Sequence, residues 1–200
     1  MKEVTKRGGY VFIMGDKNSK KVNVKNKKII HYNQNNNSDF MDVFLCAKAK
    51  FFIGNSSGLK AISQCFDVPI AASNQIGFNV LLQPINSLLI YKKLFSMQKQ
   101  RLLTYNEILK LNLFDKSKGN QGYFSAFYEK NNLVPIENTS EEIHNLVIDM
   151  FDIINEKKST FYKNLQKQFK IIFFKDYTDI NLSGNISPRF LCLNKNLFKL

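Results

Sequence analysis

The sequence predicts an α/β fold in which helices flank a parallel sheet, and three observations carry the prediction. Short, continuously apolar runs recur at residues 10–14, 28–32, 51–53 and 70–73, the profile of strands buried on both faces. Helix-compatible segments with apolar stripes separate the later runs. Turn formers follow the runs: Gly15-Asp16, Asn33 to Asn37, Gly54 to Gly58 and Asn74. The order β, β, α, β, α, β at these spacings is that of a doubly wound unit.

Taken in order, residues 1–7 read as the last turns of a helix stopped by Gly8-Gly9. Tyr-Val-Phe-Ile-Met at 10–14 is the first strand. Residues 17–28 are polar and basic, a surface loop. Lys-Ile-Ile-His-Tyr at 28–32 is the second strand. Ser38 or Asp39 caps the next helix, and Asp39 and Asp42 suit the positive end of its dipole. Phe51-Phe-Ile53 is the third strand. Residues 59–66 form a helix whose apolar stripe is Leu59, Ile62, Cys65 and Phe66. Asp67-Val-Pro69 breaks it before the fourth strand, Ile70 to Ser73. A short strand is expected near 88–91. Thr104-Tyr-Asn-Glu107 has the spacing of a capping box. Residues 115–135 read as loop. Thr139 opens an amphipathic helix with Ile143, Leu146, Val147, Met150, Phe151 and Ile154 on one stripe. A further helix spans 160–170, and the tail from 177 shows only weak turn signals.

Composition bounds the function. The 200 residues carry 29 Lys+Arg against 16 Asp+Glu, a formal net charge of +13. The excess sits in residues 1–30 and 91–135, while residues 31–90 balance. Only Arg7, Arg101 and Arg189 are arginine, and base readout in DNA leans on bidentate arginine. The 24 asparagines point to compositional bias rather than to a nucleic-acid surface, so no specific nucleic-acid partner is expected. Cys46, Cys65 and Cys192 form no CxxC pair, which excludes a disulfide scaffold and a zinc ribbon. They read as buried, reduced thiols. No apolar run reaches the roughly 18–20 residues that span a bilayer. Residues 10–14 are too short for a signal peptide, so a cytoplasmic location is expected.

The chemistry concentrates between Ser38 and Asn74. In an open α/β sheet, ligands sit beyond the carboxyl ends of the strands. Gly15-Asp16, Gly54-Asn-Ser-Ser-Gly58 and Asn74 all fall at such ends. Asn55, Ser56 and Ser57 offer side-chain hydrogen bonds, and the amides of the following helix point into the same space. This is a phosphate cradle without lysine. The alternative is a tight strand-to-helix turn in which Ser57 serves only as a cap. The segment is neither a P-loop nor a GxGxxG fingerprint. His31, His144 and the aromatic group Tyr123, Phe124, Phe127 and Tyr128 read as structural or surface residues.

Four segments together carry a resemblance: GGYVFIMGD at 8–16, SDFMDVFLCAKA at 38–49, FFIGNSSG at 51–58, and PIAASN at 69–74. They resemble a family of bacterial glycosyltransferases of the GT-B type, found among surface-polysaccharide genes. RLLTYNEIL at 101–109 and SGNISPRFL at 183–191 are similar to that family's later landmarks. The resemblance implies a Rossmann-like nucleotide-sugar-binding domain over 1–158, with a helix and tail over 159–200 packing back on it. It implies a nucleotide-sugar donor as substrate, no separate cofactor and no metal. Asn55, Ser56, Ser57 and Gly58 would hold the diphosphate. Gly15 and Asp16 would line the cleft, Asp39 and Asp42 would support the site or touch sugar or ribose, and Asn74 would close it. The acceptor would be a glycan or a lipid-linked sugar, which suits peripheral association of the basic loop with the inner membrane face. GT-B enzymes face two such domains across a cleft, so a separately supplied N-terminal domain is expected. Three readings stand beside this one: a non-catalytic nucleotide-binding module, a sugar-nucleotide epimerase, and electrostatic nucleic-acid binding.

Overall fold

The computed structural model describes residues 1–16, 22–34, 38–76, 83–111, 113, 125–156, 160–174 and 185–198. Its centre is a four-stranded parallel sheet flanked by helices. The strands are β3 (Phe52–Gly54), β4 (Ile70–Gln75), β5 (Leu88–Tyr91) and β9 (Asn185–Ile186), hydrogen-bonded in the order β3-β4-β5-β9. Phe52 pairs with Ile70, Ala71 with Leu88, and Leu88 with Asn185. Ile70 to Ser73 and Leu88 to Tyr91 are buried throughout, as strands covered on both faces must be. A separate parallel pair joins β1 (Val11–Phe12) to β2 (Ile29–Ile30).

Helix α2 (Asp39–Lys48) leads into β3, and α3 (Gly58–Cys65) links β3 to β4. The two helices pack together, and Ser63 Oγ donates to the Cys46 carbonyl at 3.5 Å. Both contacting residues lie in the last turns of their helices. The C-termini therefore sit at the amino edge of the sheet, and both N-termini face its carboxyl edge. On the other side, α6 (Ser140–Ile154) lays Leu146, Val147, Met150 and Phe151 against β4 and β5. The Phe151 ring lies between the Arg7 guanidinium, 4.8 Å from its centroid, and the edge of Phe51. This ties α1 (Lys2–Lys6) to the sheet.

The chain departs from the sequence reading in four places. The first strand is shorter than expected and not buried: it spans Val11–Phe12, and Tyr10 is 62% and Phe12 43% exposed. Of residues 115–135, read as loop, 115–124 lie outside the described residues, and the rest fall in α5 (Ser125–Lys130) and β8 (Leu133–Ile136) with a short turn between them. With β6 (Lys93–Ser96) and β7 (Arg101–Leu102), β8 builds an antiparallel sheet of order β7-β6-β8. The tail contributes β9, followed by α8 (Pro188–Leu193) and α9 (Lys195–Phe198). Gln166, on α7 (Thr160–Phe174), receives the Ile186 N–H and donates to the Ile186 carbonyl. Its amide thus occupies the open edge of β9, where a bare edge strand would invite pairing with another chain. Finally, only Cys46 is buried; Cys65 is exposed and Cys192 half-buried.

The capping box expected at Thr104 is present at the start of α4 (Tyr105–Lys110), and a second forms between Thr139 and Glu142. Phe127 packs on the core and Tyr128 is buried, its phenol pushed up to about 12 by desolvation. Tyr123 and Phe124 lie outside the described residues. His144 is exposed. Among the described residues, no helix is long and apolar enough to cross a membrane.

Candidate phosphate-binding edge

The turn after β3 is built by local chemistry. Asn55, Ser56, Ser57 and Gly58 are all exposed. Ser57 is extended at φ −156° and its hydroxyl accepts the Lys60 N–H at 3.3 Å, which makes it the N-cap of α3. Its carbonyl receives the Ala61 N–H. The Ala61 bond is the first of the helix itself, so of the four N–H groups that a helix start leaves over the cap engages only that of Lys60. Those of Gly58 and Leu59 bond to no described residue and lie in the first turn, where helix amides point toward the N-terminal end. A Cβ on Gly58 would meet nothing within 4 Å, so no side chain crowds this residue. Gly54 has a different reason to be glycine: a Cβ there would come within 2.9 Å of the Phe52 ring. Capping by Ser57 does not exclude an anion cradle at the same turn, since the cap consumes only one amide.

Asn74 stands at the carboxyl end of β4, beside this turn, but its side chain is committed elsewhere. It adopts φ 54°. Its Oδ1 accepts the Asn138 N–H at 2.7 Å, and Asn138 Oδ1 accepts the Asn74 N–H at 2.6 Å. Asn138 Nδ2 also donates to the Tyr91 carbonyl at 2.8 Å. This reciprocal bracket fixes the start of α6 to the ends of β4 and β5. Asn138→Ala would remove the acceptor of the Asn74 N–H and a donor to the Tyr91 carbonyl. A loss of about 1–3 kcal/mol is expected, read as a lower urea midpoint at unchanged slope.

The remaining sequence-designated residues occupy the same end of the molecule on other elements. Gly15 takes φ 111° after β1, a conformation that L side chains rarely adopt. Asp16 is exposed, and its carbonyl accepts from Asn33 Nδ2 at 3.4 Å. Asp39 is exposed and Asp42 half-buried in the first turn of α2, where Ser38 Oγ accepts the Met41 N–H. Both carboxylates complement the α2 dipole. Among the described residues, no group of three His, Cys, Asp or Glu residues could hold a metal ion.

Sequence reasoning missed Lys60. The apolar stripe of α3 predicts Leu59, Ile62, Cys65 and Phe66 against the sheet. The structure turns Lys60 and Ser63 inward instead and leaves Cys65 and Phe66 exposed. Burial holds the Lys60 ammonium below the usual lysine range. No sequence signal could have found this, because the stripe argues for the opposite face.

A small, largely apolar space with room for about one water lies between Ile76, Tyr91, Leu94, Tyr105 and Ile108. It is far too small for a ligand pocket, and it reads as a gap in the packing between the two sheets. Comparison with protein-family models, with curated proteins and with solved structures finds no match. The site therefore rests on its own geometry.

Proposed function

We propose that the chain binds the diphosphate of a nucleotide-activated sugar at the Asn55–Gly58 turn and is the donor-binding half of a glycosyltransferase. One observation carries this: an exposed Gly-Asn-Ser-Ser-Gly turn at the carboxyl end of a parallel strand, with leftover amides at the start of an eight-residue helix. The resemblance of residues 38–58 to GT-B glycosyltransferases supplies the substrate class. In such a reaction an acceptor hydroxyl displaces the nucleoside diphosphate at the anomeric carbon. Negative charge then grows on the leaving phosphate oxygens. Gly58 and Leu59 N–H groups, with the Asn55 and Ser56 side chains, would meet that charge as it forms. The acceptor, a glycan or lipid-linked sugar, and the general base would belong to a second domain.

Ser57→Asp tests the site without dismantling the helix, because Asp caps as well as Ser. The new carboxylate would repel a diphosphate. Calorimetric titration with UDP- and GDP-sugars is expected to show binding in the wild type, at least a tenfold loss in Ser57→Asp, and no change in His144→Ala, which lies on the exposed face of α6. Equal affinity in all three would remove the turn from the site.

A further inference from the structure

Lys60 is 4% exposed, and its ammonium makes a single hydrogen bond, 3.4 Å long, to the neutral Oε1 of Gln75. Among the described residues no carboxylate lies within ion-pair distance of it. A buried charge without a counter-charge is expensive, so a residue kept only for packing would be apolar here. Its one bond places the ammonium without gripping it. Gln75 folds back so that its Nε2 donates to the Ser73 carbonyl at 2.7 Å. Ser73 directly follows Ala72, the β4 partner of Gly54. The ammonium is thus placed level with the end of β3, behind the Asn55–Ser57 turn. Lys60 is also the third residue of α3, where the Cα–Cβ bond tilts toward the helix N-terminus. The leftover amides and serine hydroxyls of the turn thus stand at the start of the same helix whose third residue carries this buried cation.

We infer that Lys60 is an anion-binding residue whose ammonium supplies the counter-charge for the diphosphate held at the Asn55–Gly58 turn. The inference rests on the reading of that turn as the diphosphate site. It changes the chemistry of the site from a neutral cradle to a charged one. The long bond to Gln75 is a weak restraint, and the four-carbon stem lets the ammonium swing to a phosphate oxygen at little cost. No bond is made or broken covalently. Lysine serves as a point charge, as it does in other phosphate sites. A charge-assisted hydrogen bond of this kind corresponds to about ten- to hundredfold in affinity.

The test uses the full chain, with inorganic pyrophosphate, UDP and GDP as probes in calorimetric titrations. Two variants remove the charge: Lys60→Met, which fills the space with an apolar stem, and Lys60→Gln, which keeps a donor for Gln75. Both are expected to bind each probe about ten- to hundredfold more weakly than wild type. Both are also expected to melt a few degrees higher at pH 7, because the uncompensated charge is gone. A residue with a merely structural role would lower the melting temperature instead. Wild-type affinity in both variants, with binding still lost in Ser57→Asp, would overturn the role of Lys60 and leave the turn standing. No binding of any probe by the wild type would overturn the turn and Lys60 together.

Discussion

Phe198→Ala is expected to lower the unfolding free energy by about 3–5 kcal/mol, the range for truncating a buried aromatic side chain. Phe198 is 0% exposed although it lies two residues from the end of the chain. Its ring stacks on Tyr105 with centroids 4.1 Å apart and planes 17° apart. Phe169 meets it edge-on at 5.5 Å and Phe190 at 6.1 Å. These partners come from α4, α7 and α8, so one ring joins the antiparallel sheet to the helices that carry β9. Truncation would lose the transfer free energy of the ring and leave a cavity that three rigid aromatic walls could not close. Each kcal/mol corresponds to roughly 2–4 °C in a chain of this size, so the melting temperature should fall by about 6–20 °C. Phe198→Leu, which keeps most of the volume, should fall much less. A melting temperature unchanged in Phe198→Ala would mean that α9 does not seat in this core.

The parts of the fold that were legible are those where periodicity and burial agree. Ile70 to Ser73 is a continuous small and apolar run, and it lies in the middle of the sheet. The α6 stripe faces the sheet because a fifteen-residue helix with a capping box leaves little choice of face. The unreadable parts have separate physical causes. Pro135 argues against a strand, yet β8 is an edge strand pairing only with β6, where a missing N–H is tolerated. The turn between β6 and β7 places Gln100 at φ 52°, a conformation that hairpin signals assign to Gly or Asn. Asn185–Ile186 is too short to show any period. The turn at Asn55–Gly58 was legible because glycine and serine advertise a strand-to-helix corner. Lys60 was hidden, because its burial contradicts the apolar pattern of its own helix. Asn74 was singled out for its place at a strand end, but only the structure shows that Asn138 occupies its side-chain oxygen.

Asp149→Ala is the second large effect, and its pH dependence separates it from a simple packing loss. Asp149 is buried on α6 and gathers the start of α8. Its Oδ2 accepts the Ser187 hydroxyl at 2.5 Å and the Arg189 N–H at 3.0 Å, and its Oδ1 pairs with the Arg189 guanidinium. Ser187 is itself the N-cap of α8 and fully buried. Alanine would remove the acceptor of that hydroxyl and of the Arg189 N–H. The guanidinium would keep Asp152, 2.9 Å away, so the full cost of an orphaned buried ion does not apply. A loss of about 2–4 kcal/mol is expected. Burial raises the Asp149 carboxyl above its usual value, against the opposing pull of Ser187 and Arg189. The folded state then holds this proton more tightly than the unfolded state does. The contribution of Asp149 to stability is therefore greatest below the unfolded carboxylate value, falls as pH rises through the raised folded value, and is level above it. Urea unfolding of wild type and Asp149→Ala across pH 3–7 should show a difference that narrows with rising pH before it levels. A difference that widens over the same range would mean that Arg189 outweighs burial and that the pair acts as a net stabilising ion bridge.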